Sequence, residues 1–344
     1  MRIKFPNILS SIFIIVILIT FTENLSAQEN RKEYSVSVNK ILMGTTVETT
    51  VRSPDINEAK EALLKAYKEM QRVENLLSSH KEGSEITFIN NFAGIHPVKV
   101  SLETLLILKN AINYSQHSKG LFDVTIGSVS NLWGFSDENR TIELPDSSQI
   151  DSALKYVNYR NIIINPKDTT VLLKNKGMRL DLGGIAKGYA IDRGSAVLKN
   201  LGISNFILNA GGDIYVSGMK EKNTEWKIGI QAPRDSKKID AAFNLKNYAV
   251  ATSGDYERFR IINGVRYHHI LNPFNGYPGR LSESCTVLAP TAEEADALAT
   301  FLFLKGANKA LADKSIKIPF LIITTKGKIF YNSIFNGKYK PEIM

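Results

Sequence analysis

The chain has 344 residues, of which 43% are hydrophobic and 22% charged, which is ample for a large buried core. Its formal net charge is +9, but the lysines and arginines are scattered, which argues against nucleic-acid binding. The excess charge indicates either a solvated basic surface or attraction of an anionic ligand, such as a dinucleotide, into a cleft.

The N-terminus has the residue order of a secretory signal peptide. Arg2 and Lys4 precede an apolar run over residues 8–21, and the small residues Ser26 and Ala27 come just before Gln28. The run is too short and too early for a convincing membrane span, although an uncleaved anchor remains an alternative. We therefore predict a signal peptide over residues 1–27 and an exported, periplasmic domain over residues 28–344.

Hydrophobic periodicity predicts a mixture of helices and strands in the mature chain. Helices are expected after Asp55, after Ser101, over residues 185–198 and from Thr291 to Lys305. Strands are expected at residues 36–51, 178–182, 206–208, 214–216, 226–230, 248–251, 266–271, 320–324 and 328–331. A loop is expected over residues 122–133, and surface strands and turns over 141–176.

Neither an internal repeat nor a clear linker divides this pattern. The fold prediction is therefore α/β in the mixed α+β sense. It is a single domain with substantial antiparallel sheet and packed helices.

The first candidate site is the turn at residues 181–189 (DLGGIAKGY). A predicted strand ends at a glycine pair and a helix begins, so free backbone N–H groups meet where glycine allows a phosphate to approach closely. Lys187 adds a charge. A tight turn with a solvated lysine explains the residues equally well.

The second candidate site is the late helix, which is apolar or small except at Asp296 and Thr300. Their i, i+4 spacing places both on one face. A carboxylate in such a run is costly to bury unpaired, and Mg²⁺ is one partner that would relieve the cost. The alternative is that Asp296 assists the helix cap and Thr300 bonds to its own backbone.

The third candidate site is the pair His268 and His269, followed by Asn272. Histidine is the usual side chain for acid–base catalysis near neutral pH. Adjacent residues of a strand point to opposite faces, so at most one histidine faces a given cleft. A hydrogen-bonded structural role is the alternative for either.

Taken together, these segments resemble the ApbE family, the FAD:protein FMN transferases. Seven segments match in family order over most of the mature chain. They are residues 43–45 (MGT); 122–127 (FDVTIG) with 131–135 (NLWGF); 181–192 (DLGGIAKGYAID); 209–212 (NAGG); 251–254 (ATSG); 269–273 (HILNP) with Gly276; and 289–300 (APTAEEADALAT).

The resemblance implies an enzyme that binds FAD with Mg²⁺, cleaves the pyrophosphate, releases AMP and leaves FMN in phosphoester linkage to Thr or Ser of another protein. It implies metal ligation by Asp296, Thr300 and the backbone carbonyl of Gly184, and makes His269 the candidate base. The implied FAD contacts are Met43, His80, Leu121, Phe122, Asp123, Asp181, Lys187 and Leu271.

The implied partners are FAD and an exported acceptor flavoprotein, of the class that includes subunits of sodium-pumping quinone reductases and Rnf-type complexes. Membrane contact is expected only through an uncleaved anchor or a membrane-bound acceptor. Two positions depart from the family pattern: His80 replaces an aromatic residue, usually Tyr, and Asn272 replaces an Asp. Two other functions fit the same residues, an FAD pyrophosphatase and a non-catalytic exported FAD-binding protein.

Overall fold

The computed structural model describes residues 33–135 and 144–344. Its helices are α1 (Ile56–Leu77), α2 (Glu85–Asn91), α3 (Leu102–His117), α4 (Gly127–Trp133), α5 (Ser147–Leu154), α6 (Ala186–Asn200), α7 (Ala292–Lys305), α8 (Ala307–Ala312) and α9 (Ser333–Tyr339), with a 3₁₀ turn at Tyr159–Asn161. Its strands are β1 (Tyr34–Leu42), β2 (Thr45–Ser53), β3 (Val98–Lys99), β4 (Ile162–Asn165), β5 (Thr170–Leu173), β6 (Asn205–Ala210), β7 (Asp213–Ser217), β8 (Trp226–Ala232), β9 (Asp235–Leu245), β10 (Tyr248–Gly254), β11 (Phe259–Ile262), β12 (Val265–His268), β13 (Ser282–Ala289), β14 (Phe320–Thr324), β15 (Ile329–Tyr331) and β16 (Glu342–Ile343).

An antiparallel sheet of eight strands forms the centre, in the order β1-β2-β6-β7-β10-β13-β14-β15. Three smaller sheets accompany it: β16-β9-β8, β3-β5-β4 and the pair β11-β12. Helix α6 packs against both α1 and α7, and all three helices contact strands of the large sheet. This is the mixed helix and antiparallel sheet composition that the sequence predicts.

The large sheet is buried on both faces. Successive side chains of its central strands point alternately into two cores, one on each face. In β10, Ala249 and Ala251 join the large core shared with the helices, whereas Val250 points into a second core. That second core is shared with β8 and β9, through side chains such as Trp226 and Phe243. Every residue of β13 is buried, as expected for a strand covered on both faces.

Two tight hairpins bring glycine-rich turns together at one edge of the sheet. Met43 and Gly44 have φ of 53° and 68° and join β1 to β2 as a two-residue turn, which requires positive φ at both positions. Gly211 and Gly212 join β6 to β7. A Cβ at Gly211 would lie 2.4 Å from Thr45 Oγ1, so only glycine lets the two turns approach this closely.

The four predicted helices are all present, but several other local predictions are wrong. Residues 122–133, expected as a loop, contain α4, and residues 141–176 contain α5 beside the strands β4 and β5. Residues 178–182 form an extended segment with a single bridge, between Arg179 and Ile126, instead of a strand. The strand predicted over residues 266–271 ends at His268.

The predicted signal peptide over residues 1–27 lies outside the described residues. Within residues 33–135 and 144–344, no helix is long and apolar enough to cross a membrane.

Candidate active site

Helix α7 carries the predicted metal ligands Asp296 and Thr300, one turn apart. Its N-cap is Thr291, which accepts a hydrogen bond from the Glu294 N–H at 3.3 Å. The Asp192 carboxylate of α6 accepts the next free N–H groups, those of Ala292 and Glu293, at 2.8 and 2.9 Å. Since Thr291 and Asp192 serve the helix end, Asp296 is not used as a cap.

The Asp296 carboxylate is 4% exposed. It accepts one hydrogen bond from the backbone of α6, from Gly188 N–H at 3.1 Å. Burial raises the pKa of Asp296 well above the usual range for an aspartate, and the nearby Asp213 carboxylate adds to the rise while Lys187 opposes it. The carboxylate is therefore incompletely compensated by protein groups, as expected of a side chain that takes a cation.

Thr300 and Gly184 lie against each other beside Asp296. Thr300 Oγ1 is 3.2 Å from Ser253 Oγ, and a Cβ added to Gly184 would lie 3.0 Å from Thr300 Oγ1. The Asp296 carboxylate, the Thr300 hydroxyl and the Gly184 carbonyl would provide an all-oxygen donor set, which suits Mg²⁺. No cluster of three acidic, His or Cys side chains suited to a metal occurs in the described part of the chain. A cation here would complete its shell with water and substrate oxygens.

Lys187, in the first turn of α6, is paired with Asp213. Asp213 is 1% exposed and also accepts a hydrogen bond from Thr252 N–H. Burial alone would lower the pKa of Lys187, but the carboxylates of Asp213 and Asp296 outweigh it and raise that pKa, so the lysine is charged. Sequence reasoning missed Asp213 as a site residue, because a lone Asp after a glycine turn gives no sign of its partner.

The two adjacent histidines have different roles. His268 is 2% exposed, its Nδ1 accepts from Ile270 N–H at 3.3 Å, and its Nε2 therefore donates to the Gly279 carbonyl at 2.8 Å. Burial lowers the pKa of His268 to about 4, so the ring is a neutral structural group.

His269 is oriented through the carbonyl of Arg258. Its Nδ1 lies 3.3 Å from that oxygen, and its backbone N–H donates to the same oxygen at 3.1 Å. Burial and the neighbouring Arg258 charge hold the pKa of His269 well below its usual range, so the ring is neutral at pH 7. A carbonyl can only accept, so the proton resides on Nδ1 and Nε2 keeps a free lone pair. That is the form required of a general base.

The predicted phosphate-binding turn is organised by Asp181. Its carboxylate accepts from Gly183 N–H at 2.9 Å and from Ser130 Oγ at 2.8 Å. The Phe122 ring packs against the turn, 3.2 Å from where a Cβ of Gly184 would stand. The turn leads directly into α6, whose N-terminus is favourable for anions.

The Asp123 side chain is engaged within its own loop. It accepts from Thr125 N–H and hydroxyl at 2.8 and 2.6 Å and from Tyr159 N–H at 2.9 Å. Burial raises the pKa of Asp123 and these bonds oppose the rise. Its side chain therefore shapes the loop next to the half-buried Leu121.

The remaining predicted FAD contacts are dispersed. Met43 occupies the β1–β2 turn and packs against the large core. Leu271 is 5% exposed in a third core, built around Trp133. His80 is exposed in the turn after α1, where its backbone N–H donates to Ser78 Oγ at 3.2 Å. FAD contacts at these residues stay predictions.

The described residues provide three features: an oxygen donor set, a helix start that favours anions, and a neutral histidine. Together they are typical of an enzyme that acts on a phosphate-bearing substrate. The family model of the ApbE family matches residues 43–318. This chain belongs to the ApbE family, as the sequence resemblance indicates.

Known proteins similar to this chain cover nearly all of the described fold. The FAD:protein FMN transferase of Haemophilus influenzae is 33% identical over 318 residues, covering 88% of this chain and 90% of that protein. The structure of the ApbE protein from Thermotoga maritima has a TM-score of 0.83 at 35% identity, covering 88% of this chain and 98% of that one. The flavin transferase ApbE from Vibrio cholerae has a TM-score of 0.80 at 30% identity, covering 89% and 99%. The predicted fold class is confirmed.

Proposed function

We propose that this protein is a magnesium-dependent FAD:protein FMN transferase. It cleaves the pyrophosphate of FAD, attaches FMN through a phosphoester bond to a Thr or Ser of an acceptor protein, and releases AMP. Membership of the ApbE family and the names of its relatives support the reaction class.

The observation that carries the metal proposal is the close approach of Gly184 to Thr300, one turn of α7 from the buried Asp296 carboxylate that Lys187 influences. Asp296 and Thr300 would hold the ion from α7, and the Gly184 carbonyl would hold it from the turn before α6. When bound there, Mg²⁺ would neutralise pyrophosphate oxygens and stabilise charge on the departing AMP. Lys187 and the N-terminus of α6 attract the same phosphates.

His269 would accept the proton of the acceptor hydroxyl. The hydroxyl oxygen attacks the phosphorus of the FMN half and its proton passes to His269 Nε2. The bond from that phosphorus to the bridging oxygen breaks, and this oxygen leaves with AMP. The neutral ring and the hydrogen bond from its Nδ1 to the Arg258 carbonyl support this role.

The acceptor is proposed to be an exported flavoprotein, of the class of quinone reductase or Rnf-type subunits. The signal-peptide pattern in residues 1–27 supports export to the periplasm.

The test is to incubate the purified protein with FAD and Mg²⁺, with and without a candidate acceptor, and to analyse the acceptor by mass spectrometry. The expected result is an acceptor heavier by FMN less one water, with an equivalent amount of AMP. Equal release of free FMN and AMP with and without acceptor would instead identify a pyrophosphatase. FAD that stays intact throughout would identify a non-catalytic binding protein.

A further inference from the structure

The turn that carries Arg258 is held from a neighbouring sheet by Arg234. Residues 255–258 connect β10 to β11, and Arg234 lies in the turn between β8 and β9. We propose that Arg234 is a positioning residue for His269: by fixing this turn, it fixes the carbonyl that determines which ring nitrogen carries the proton. The catalytic meaning of this inference rests on the proposed function, but the structural relation can be tested without it.

The first end of the turn is anchored by charge. Arg234 donates from its two terminal nitrogens to both oxygens of Asp255, each at 2.7 Å, and forms an ion pair with Glu283 at 2.8 Å. Asp255 is 5% exposed and Glu283 is 8% exposed. The backbone N–H of Asp255 also donates to the Glu283 carbonyl at 2.9 Å. A bidentate arginine contact is directional as well as attractive.

The other end of the turn is anchored on His269. The Arg258 carbonyl accepts both the backbone N–H and the ring Nδ1 of His269. Only two residues separate Asp255 from Arg258, and the Tyr256 ring is folded so that its Cζ lies 2.6 Å from where a Cβ of Gly254 would stand. A displacement at Asp255 is therefore transmitted to the Arg258 carbonyl.

Loss of Arg234 would leave two buried carboxylates side by side. Burial already raises the pKa of Glu283, and Arg234 opposes that rise. Without the guanidinium, the like charges either separate or take up a proton, and both responses move Asp255. The Arg258 carbonyl would then lose its alignment, and His269 could exchange its proton between Nδ1 and Nε2.

The test uses the mature protein, residues 28–344, with ¹⁵N-labelled histidine. In two-dimensional long-range ¹H–¹⁵N spectra, the two neutral tautomers give distinct patterns, and His269→Ala identifies the His269 signals. We expect the Nδ1–H tautomer in the native protein and a mixture with Nε2–H in Arg234→Met. Lys237→Met removes a cation from the same β8–β9 hairpin and should leave the tautomer unchanged. An unchanged tautomer in Arg234→Met overturns the inference, whether or not the protein transfers FMN.

Transfer kinetics provide the second readout. Arg234→Met should lower kcat at least tenfold, with the KM for FAD within about threefold, because a positioning residue acts on the chemical step. The kcat of Arg234→Lys should lie between those of the native protein and Arg234→Met, since a lysine restores the charge without the bidentate geometry. A raised KM with unchanged kcat would overturn the positioning role. If Arg234→Met does not fold, Arg234→Lys and Asp255→Asn carry both measurements with the same expected directions.

Discussion

At the scale of single residues, the buried carboxylate of Asp296 is the most informative side chain. An aspartate in an apolar helix has a high cost of burial unless a cation or several donors compensate it. Here a single backbone N–H and a nearby lysine supply that compensation, and the lysine is already paired with Asp213. A carboxylate that is buried with so little compensation is expected to be needed for function and to weaken the fold.

Asp296→Asn should therefore lower the activity without lowering the stability. An amide is a poor ligand for Mg²⁺, so transfer at saturating FAD should fall by about 10²-fold or more, as for removal of a principal electrostatic group. The free energy of unfolding in the absence of Mg²⁺ should stay equal or rise, since the amide carries no charge to desolvate. Urea unfolding and transfer assays across Mg²⁺ concentrations measure both. Normal Mg²⁺ dependence in this variant would rule out the metal-ligand assignment. The control is Asp151→Asn, which makes the same substitution at an exposed position.

His269→Ala should abolish FMN transfer with FAD binding largely kept. In the native protein, the pH dependence of the transfer rate follows from the lowered pKa of His269. A base is active when unprotonated, so the native rate should hold as pH falls from 7.5 to about 6.5, the ordinary histidine value, and decline only below it. Rate profiles of kcat/KM and FAD titrations by flavin fluorescence provide the measurement. Near-normal transfer by the variant would remove His269 from the role.

At the scale of elements, the site depends on how closely α6 and α7 approach. A Cβ at Gly188 of α6 would lie 2.2 Å from the carbonyl oxygen of Ala292 in α7. The same glycine donates its N–H to Asp296, so one residue fixes both the helix contact and the position of the proposed metal ligand. Only glycine has no atom at that position, which is why the helices can touch through their backbones.

Gly188→Ala should force the helices apart. We expect it to destabilise the protein by about 1–3 kcal/mol, the usual range for overpacking, and to weaken Mg²⁺-dependent transfer. Gly337→Ala in α9 is the matched control, because nothing lies within 4 Å of its Cβ position. The control should be neutral or stabilising by up to about 1 kcal/mol, from reduced freedom of the unfolded chain. Equal urea midpoints for the two variants would contradict the close-packing explanation.

Local sequence predicted the four long helices but missed the short helices and the 11-residue strand β9. Helices α1, α3 and α7 have the N-cap residues Asp55, Ser101 and Thr291, whose side chains accept hydrogen bonds from the first turns. Helix α4 has only seven residues and no side-chain cap at its start, so little in the local sequence marks it as a helix. Residues 178–182 have a strand-like pattern, but only a single bridge forms because their Asn90 and Val124 contacts take up backbone groups.

At the scale of the whole molecule, the described fold begins with β1 at Tyr34, after the predicted signal peptide. A chain starting at Gln28 should therefore fold and transfer FMN when purified. In cells, however, it should leave a periplasmic acceptor unmodified, because enzyme and acceptor are kept apart. Mass spectrometry of the acceptor from cells with the full and the shortened chain measures this. A foreign secretion signal should restore modification, and modification by the shortened chain alone would contradict export.

The sequence by itself determined the family, the mixed fold class, and the grouping of Asp296 and Thr300, since helical periodicity is a local property and the motifs occur in order along the chain. It also predicted that at most one of the two histidines faces a given cleft. Tertiary structure decided which groups become partners. Asp213 pairs with Lys187, Asp192 accepts hydrogen bonds from the start of α7, and the Arg258 carbonyl contacts His269 Nδ1. The physical reason is that these partners are far apart in sequence and come together only when the sheet and helices pack, while their pKa values depend on burial, which packing alone sets.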